Sequence, residues 1–460
     1  MAEGAASGGR DVVVRRNTRL LVVAQAALWG AAGVFITVGP PAGFFLTGRA
    51  SSAGIVVAAY QVAAATALFT GRAMDRVGRR PGLLVGYALL VVAGPAAAVS
   101  VLAGWFPALV FSTLLFGGGV GAALLGRAAA AAMYPPERRG RAVGRLLAAG
   151  TFGAVGAPPL VGGIQSLFED GHAGPFVWPW LVSALFAAVG LACAARLRPD
   201  PRDLVPGPAP AAMPSRRRSL GELLSVRPFA VALVSIAVAQ ALMVGLMGVA
   251  PITLRARGGS ALGVSIIISL HLAGMFVFSP LVGSSLDRWG RRPSLFAGAA
   301  LAGAGALLGT VGGSFAVAGA GLFLVGVGWS FAYLGATAVV SDVTSPSERA
   351  GGLGFTDLLT SLTAATGALT GGSLLQAAGF DVLGRTLAAL VIPVFVLLLF
   401  VREIEPGRWR GVADLAVPVA SGAPTGASAP DQVPVADAGA GCWLPGTLPA
   451  EASGGGVRRE

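Results

Sequence analysis

Long runs without charged residues fill the chain from about residue 20 to residue 401, and short groups of charged side chains separate them. A helix that crosses a bilayer needs about 20 predominantly apolar residues. Ten uncharged stretches approach or exceed this length, and two of them, 81–126 and 293–341, are long enough for two helices each. Glycine-containing turns at 104–107 and 312–314 divide these two. The pattern predicts an all-α membrane protein with twelve transmembrane helices, numbered here as spans 1 to 12.

The composition is that of a protein embedded in a lipid bilayer. Hydrophobic residues make up 55% of it and charged residues 12%, against about 25% charged residues in soluble proteins. The net charge of +12 does not indicate a nucleic-acid partner, because every cation is Arg and these arginines cluster in short runs between long uncharged stretches. Such clustering is typical of cytoplasmic loops. The lipid bilayer is the partner that this composition predicts.

The positions of arginine also predict the topology. The loops after spans 2, 4, 8 and 10 are rich in Arg, so we expect both termini to be cytoplasmic. Residues after about 403 are rich in Gly, Ala, Pro and Ser without helical periodicity, which is typical of disorder. The predicted segments are a cytoplasmic N-terminus (1–17), a first bundle (18–196), a cytoplasmic linker (197–227), a second bundle (228–402) and a disordered cytoplasmic tail (403–460).

The two halves of the chain repeat each other. Residues 71–81 read GRAMDRVGRRP and residues 283–293 read GSSLDRWGRRP. At a nearly constant offset, Gln25 in span 1 aligns with Gln240 in span 7. Six spans in each half give both halves the same topology, which is a parallel repeat. We therefore expect two six-helix bundles related by a pseudo-twofold axis along the membrane normal.

The repeated loop, G-x-x-x-D-R-x-G-R-R, resembles the signature of the major facilitator superfamily, and the likeness covers nearly all of residues 15–402. We name residues 71–81 and 283–293 the signature loops. The resemblance implies a secondary active transporter that works by alternating access. It also implies a central cavity lined mainly by spans 1, 4, 7 and 10.

The signature loops have a chemistry suited to a conformational latch. Gly78 and Gly290 permit a turn with positive φ, the Asp side chains can accept from a helix N-terminus, and Arg79 can pair with a carboxylate. In the superfamily the corresponding positions stabilise the outward-facing state. The alternative is a cluster that sets topology only. The predicted latch residues are Gly71, Asp75, Arg76, Gly78, Arg79, Arg80, Gly283, Asp287, Arg288, Gly290, Arg291, Arg292 and Asp342.

The two latches differ in one position. Asp342, at the cytoplasmic end of span 10, matches the acid with which members of the superfamily pair this Arg. The first half has Ala132 at the corresponding position, and Glu137 is the available substitute. We therefore expect the two latches to be unequal.

Span 5 reads GTFGAVGAPPLVGG, and its Pro158, Pro159, Gly162 and Gly163 are predicted to bend the helix and to let it pack closely. The segment resembles the antiporter motif of the superfamily, which makes drug/proton antiporter-like members the nearest in motifs. Pro158 departs from that motif, and the Arg that many such antiporters carry early in span 4 is absent. Ordinary helix packing explains the same residues.

Polar and aromatic residues inside the spans are the candidates for contact with a substrate, because polar groups in a membrane are costly and usually functional. Gln25 and Gln240 occupy symmetric positions, and Trp329 and Tyr333 share one helix face. Hydrogen bonding or packing between helices is the alternative for each. The predicted cavity residues are Gln25, Trp29, Gln61, Gln240, His271, Trp329 and Tyr333.

Two residues are candidates for proton coupling. His271 lies well inside span 8, where a titrating imidazole could carry a proton and a neutral, structural imidazole is the alternative. Asp357 is the one acid inside an apolar segment, and it could instead be the partner of an Arg. Arg127, near the inner end of span 4, can reach the interface or contact the substrate.

The residues show no nucleophile–base pair, metal-ligand spacing or phosphate loop, so we predict neither an enzyme nor a cofactor or metal site. The favoured function is proton-coupled efflux of small amphipathic molecules by a monomeric transporter in a bacterial inner membrane. The alternatives are an importer of a metabolite such as a sugar or organic acid, and a polytopic sensor or membrane enzyme that transports nothing.

Overall fold

The computed structural model describes residues 2–168, 173–204 and 218–401. Every regular element in these ranges is helical, and eleven helical segments are long and apolar enough to cross a membrane. The last of them, Gly351–Leu399, contains two spans, because Gly379 has a φ of 82° that interrupts the helix. Residues with a side chain rarely adopt this backbone conformation, whereas glycine adopts it freely. The prediction of an all-α membrane protein with twelve spans is confirmed.

Eight helices form the first six spans, because spans 2 and 4 each break into two. Their bounds are α1 (Ala2–Thr47), α2 (Ala50–Ala64) and α3 (Ala67–Val77), α4 (Arg79–Leu102), α5 (Phe106–Leu124) and α6 (Gly126–Ala132), α7 (Pro136–Leu167) and α8 (Gly174–Ala195).

A 3₁₀ turn, Pro201–Leu204, and the short helix α9 (Leu220–Leu224) lie between the bundles in the chain. The second bundle follows. Its helices are α10 (Arg227–Met247) and α11 (Ala250–Ala256) for span 7, α12 (Ala261–Phe276) and α13 (Ser279–Trp289) for span 8, α14 (Arg291–Val311), α15 (Phe315–Val343), α16 (Pro346–Ala389) for span 11 and the start of span 12, and α17 (Val391–Leu399).

Each bundle has its own apolar core. Leu28, Phe116 and Trp180 are fully buried in the first, and Phe229 and Leu242 are fully buried in the second. Large apolar side chains are exposed on the outside of the helices, as expected where lipid is the solvent. The division into two cores agrees with the repeat in the sequence.

The chain before span 1 is helical, because α1 begins at Ala2 and continues without a break into the first span. Arg10 donates to the Leu204 carbonyl at 2.8 Å, and Asn17 donates to the Pro199 carbonyl at 3.2 Å. The N-terminal helix is therefore fixed to the chain that follows span 6. The predicted tail, most of the predicted linker and the side chain of Glu137 lie outside the described residues.

Candidate functional site

The two bundles approach each other most closely in the half of the molecule opposite the signature loops. A Cβ on Gly54 of span 2 would collide with the Ala368 carbonyl of span 11. In spans 5 and 8, a Cβ on Gly162 would collide with the Ser265 side chain. These positions need glycine because the helices are in close contact there. This packing closes the half of the molecule that lies away from the signature loops.

Hydrogen bonds continue this contact between the bundles. The Ser51 amide donates to Gln376 Oε1 at 3.2 Å, and Ser269 Oγ donates to the Val155 carbonyl at 2.5 Å. Toward the signature loops the same two helices, spans 2 and 11, leave more room: the atom nearest to a Cβ on Gly354 is Leu68 Cδ1 at 3.8 Å, and Asp357 is exposed. The half that carries the signature loops, named here the signature face, is thus the more open one.

Two of the four predicted bend residues, Pro158 and Gly162, lie at close contacts between helices. Pro158 packs its ring against span 1 at Gly33, where Ala157 also lies close. Both prolines stand inside the continuous helix α7, and Gly163 faces open space. Span 5 thus packs against span 1 of its own bundle and span 8 of the other.

Three predicted cavity residues come together in the second bundle. Trp329 Nε1 donates to Gln240 Oε1 at 2.6 Å, which joins span 10 to span 7. The Trp329 and Tyr333 rings stack with their centroids 4.8 Å apart and an interplanar angle of 13°. All three side chains are partly buried. The stack and its hydrogen bond fix a flat aromatic surface on span 10.

An aromatic row connects this surface to the first bundle. Trp29 of span 1 meets Phe276 of span 8 edge to face at 5.1 Å, and Phe276 meets Trp329 at 6.2 Å. We name Trp29, Phe276, Trp329 and Tyr333 the aromatic row. The sequence analysis missed Phe276, because nothing in the sequence separates it from the other phenylalanines of the spans.

Gln25 and Gln240 occupy different environments despite their symmetric positions. Gln25 has a relative exposure of 2%, and its amide nitrogen is buried without a hydrogen-bond partner in the described structure. Gln240 instead accepts the Trp329 hydrogen bond. Gln61 is partly buried near the end of α2. The structure therefore brings Gln240, but neither Gln25 nor Gln61, into a hydrogen bond with the aromatic row.

His271 lies inside the second bundle instead of facing the aromatic row. Its relative exposure is 1%, and Nδ1 lies 2.7 Å from the Leu322 carbonyl of span 10. Gly326 of span 10 packs directly on His271, because a Cβ there would collide with the His271 backbone carbonyl and crowd Nδ1. Nε2 is buried and has no hydrogen-bond partner in the described structure. The burial and the Leu322 contact are those expected of a structural imidazole, which the sequence analysis gave as the alternative, and the cavity role of His271 stays a prediction.

A second group of polar side chains lies beside Tyr333. The guanidinium of Arg127, on α6 of the first bundle, interacts with the Tyr333 hydroxyl and attracts the carboxylate of Asp357 on span 11. Arg127 Nε also donates to the Leu124 carbonyl at 3.3 Å. Two opposite charges, one from each bundle, thus stand near one end of the aromatic row.

The signature loops each turn at a glycine with positive φ, 117° at Gly78 and 93° at Gly290. The Asp and Arg of each loop pair within the loop, Asp75 with Arg79 at 2.5 Å and Asp287 with Arg291 at 3.7 Å. Both Asp side chains are exposed, by 61% and 80%. Each carboxylate is therefore accessible to a group arriving from outside its own loop.

Arg291 is bound by a second carboxylate in the second half. Its Nε donates to Asp342 Oδ2 of span 10 at 3.0 Å. In the first half, where Ala132 stands at the corresponding position, Asp200 after span 6 accepts from the backbone amides of Arg79 and Arg80 at 3.1 and 2.8 Å. Asp200 therefore caps span 3, and the sequence analysis missed it.

The last Arg of each signature loop makes the same contact in both halves. Arg80 donates to the Ala195 carbonyl at the end of span 6, at 3.1 Å. Arg292 donates to the Leu398 carbonyl near the end of span 12, at 2.8 Å. Each bond supplies a donor to a carbonyl that the helix end leaves unpaired.

The chain that leads into the second bundle is fixed by a buried ion pair. Arg218 donates to both oxygens of Glu348, with Nη2 at 2.8 Å from Oε2, and to the Val343 carbonyl at 2.7 Å. The Glu348 side chain is 4% exposed. The hydrogen bonds from Arg218 lower the pKa of Glu348 from 4.5 to about 2.

Two six-helix bundles with polar and aromatic side chains between them are the architecture of secondary transporters. The solved nucleoside transporter NupG has this fold: the likeness covers 85% of this chain and 100% of that one, with a TM-score of 0.64 at 15% identity. A D-xylose-proton symporter matches 84% of this chain and 98% of its own, with a TM-score of 0.65 at 16% identity. At these identities the likeness shows the fold alone.

The sequence pattern of the Major Facilitator Superfamily matches residues 20–260 and 233–428, so the chain belongs to that superfamily and is a transporter, not an enzyme. An uncharacterized MFS-type transporter of Bacillus subtilis, YddS, is 29% identical over 84% of this chain and 92% of its own. The riboflavin transporter RfnT of Brucella anthropi is 27% identical over 84% of this chain and 94% of its own.

Proposed function

We propose that the protein exports a small amphipathic molecule with a planar ring, and that a proton moving inward drives the export. The signature face and both termini lie on the cytoplasmic side of a bacterial inner membrane, and the transporter works as a monomer. The observation that carries this proposal is the aromatic row, which spans both bundles and offers stacking surfaces but few hydrogen-bonding groups. Ring stacking favours flat apolar ligands.

Alternating access follows from the packing between the bundles. The close contacts at Gly54 and Gly162 close the half away from the signature loops, while Asp357 is exposed on the open half. We assign this arrangement to the inward-open state. In the outward-open state the bundles separate at these glycines and meet at the signature face.

The signature loops act as latches for that second state. Asp75 and Asp287 are exposed and pair with the Arg of their own loops, so each can accept from the opposite bundle when the signature face closes. Asp342 holds Arg291 in the second half, whereas Asp200 holds the backbone of the first loop. Opening the two latches therefore requires different free energies.

Asp357 is the group to which we assign the coupling proton. It is exposed on the open half and lies on span 11, which takes part in the contact between the bundles. His271 is buried among helices of one bundle and bonded to Leu322. A proton carrier has to reach water on both sides in turn, which favours Asp357 over His271.

Transport by the purified protein in proteoliposomes tests the proposal. Fluorescent planar amphiphiles are loaded, a pH gradient of either sign is imposed, and flux is measured for the wild type and for Asp357→Asn. We expect the amphiphile to move in the direction opposite to the protons. This gradient-driven flux should be lost in Asp357→Asn. Asp381→Asn, at an exposed position on span 12, is the matched control. Flux that ignores the gradient for every transported compound refutes proton coupling.

A second candidate is import of a ring-containing metabolite. The relative RfnT is a riboflavin transporter, and it matches most of both chains. Riboflavin has a flat ring system of the kind that the aromatic row can stack against. The same proteoliposomes decide the direction, because an importer accumulates its substrate together with the proton and an exporter exchanges one for the other.

A further inference from the structure

Arg127 of the first bundle and Asp357 of the second lie close enough for their charges to attract each other. The helix packing supports their proximity: Gly121 of span 4 packs on Ala64 of span 2, and Leu68 of span 2 lies 3.8 Å from the Cβ position of Gly354 on span 11. Arg127 follows Gly121 by less than two turns, and Asp357 follows Gly354 by less than one. Span 2 thus bridges the helices that carry the two charges.

Neither charge is neutralised by direct contact. Among the described residues, no ion pair within 4.0 Å involves Arg127 or Asp357, although the two attract each other. Arg127 Nε donates to the Leu124 carbonyl at 3.3 Å. A guanidinium carries five N–H donors, so donors remain beyond this bond and the interaction with the Tyr333 hydroxyl. The site therefore offers a strong donor and a strong acceptor from opposite sides.

We propose that Arg127 and Asp357 bind the polar edge of a planar ring that stacks on the aromatic row, with a ring carbonyl accepting from Arg127 and an adjacent ring N–H donating to Asp357. The substrate class is then a neutral heterocycle with an amide or imide edge. This inference rests on the proposed function, since it describes the substrate of the same cavity.

Electrostatics separates this class from charged ligands. An anion gains from Arg127 but is repelled by Asp357, and a cation meets the reverse arrangement. An edge with an adjacent acceptor and donor satisfies both charges and adds no net charge to the site. Tyr333 interacts with Arg127 and stacks on Trp329. The site for the polar edge of the substrate therefore lies beside the aromatic surface on which the substrate ring stacks.

Binding of riboflavin and of 3-methylriboflavin to the purified transporter in detergent tests the inference, with quenching of tryptophan fluorescence as the readout. Both have the same ring, but methylation at N3 removes the imide N–H. Since a hydrogen bond to a charged group is strong, we expect riboflavin to bind about tenfold more tightly. Equal affinity of the wild type for both, or no binding of either, overturns the inference.

Variants assign the two contacts. Asp357→Leu should weaken the binding of riboflavin about tenfold and leave the affinity for 3-methylriboflavin unchanged, so the preference for riboflavin disappears. Arg127→Gln should weaken both ligands by a similar factor, because both keep their carbonyls. Asp381→Leu is the control and should keep the wild-type preference. A preference that survives Asp357→Leu in a protein with normal melting behaviour refutes the role of Asp357.

The binding experiment and the flux experiment can fail independently of each other. Loss of gradient-driven flux with the riboflavin preference intact refutes the proposed proton-coupled export and leaves this inference standing. Gradient-driven flux of other planar amphiphiles, without any preference between the two flavins, supports export and refutes this inference.

Discussion

The indole N–H of Trp329 is bound to Oε1 of Gln240 at 2.6 Å, so the aromatic surface of span 10 is fixed to span 7. Gln240→Leu leaves that N–H without its acceptor, which costs about 1–3 kcal/mol when the group is buried. We expect a lower melting temperature and weaker binding of ring ligands, measured by thermal unfolding in detergent and by fluorescence quenching.

Trp329→Phe is the partner variant for a double-mutant cycle, because it keeps an aromatic ring and removes the donor. The double variant should lose less than the sum of the two single losses, since either change alone breaks the bond. Additive losses would show that the hydrogen bond contributes nothing to the stability of this contact.

His271→Ala should destabilise the second bundle without changing the response of transport to pH. The change empties a buried site and removes the hydrogen bond to the Leu322 carbonyl, which together cost about 2 kcal/mol. Melting temperature and gradient-driven flux are measured on the same preparation. His271→Asn, which keeps a side-chain donor, should recover part of the stability. Normal melting together with loss of the gradient response would instead make His271 the proton carrier.

Glu348→Gln should lower stability at neutral pH and have little effect in acid. The pKa of Glu348 is lowered from 4.5 to about 2 by the hydrogen bonds from Arg218, so the ionised form stabilises the fold above about pH 4.5. This stabilisation disappears as the pH falls through 4.5 toward 2. The difference in melting temperature between wild type and variant should therefore shrink over that range.

Glu222→Gln is the matched control for Glu348, because both residues are the Glu of a capping box and Glu222 is exposed. Its effect should be smaller at every pH. A constant difference between wild type and Glu348→Gln across the acid range would contradict the assignment of the lowered pKa to this ion pair.

Asp200→Ala should weaken the first signature loop, because the carboxylate caps the start of span 3 at the amides of Arg79 and Arg80. Loss of such a cap costs about 1 kcal/mol. Hydrogen exchange in peptides that cover residues 71–81 should become faster, with a modest fall in melting temperature. Asp203→Ala changes an exposed Asp of the same 3₁₀ turn and should leave the exchange unchanged.

Charge spacing and two glycine-containing turns predict the spans, because each span has to be uncharged over a length that the bilayer sets. The two similar loop sequences predict the repeat. The side-chain contacts are less predictable. Gln240, Trp329 and Tyr333 could be identified as cavity candidates, since polar and aromatic groups stand out on an apolar helix. Their mutual hydrogen bond and stacking depend on how spans 7 and 10 pack, which the sequence does not specify.

Two misses have identifiable physical causes. Asp200 binds backbone amides, which every residue except proline carries, so no side-chain partner in the signature loop indicates it. The burial of His271 depends on Gly326 of another helix, which lets span 10 approach the backbone of span 8 closely at this point. Both features arise from contacts between segments that are distant in the sequence.

The bonds from Arg80 to Ala195 and from Arg292 to Leu398 close each bundle into a ring at the signature face. The start of the third helix of each half is bound to the end of the sixth, so a displacement of either loop is passed directly to the last helix of its bundle. We therefore expect each half to move as one rigid body when the signature loops engage.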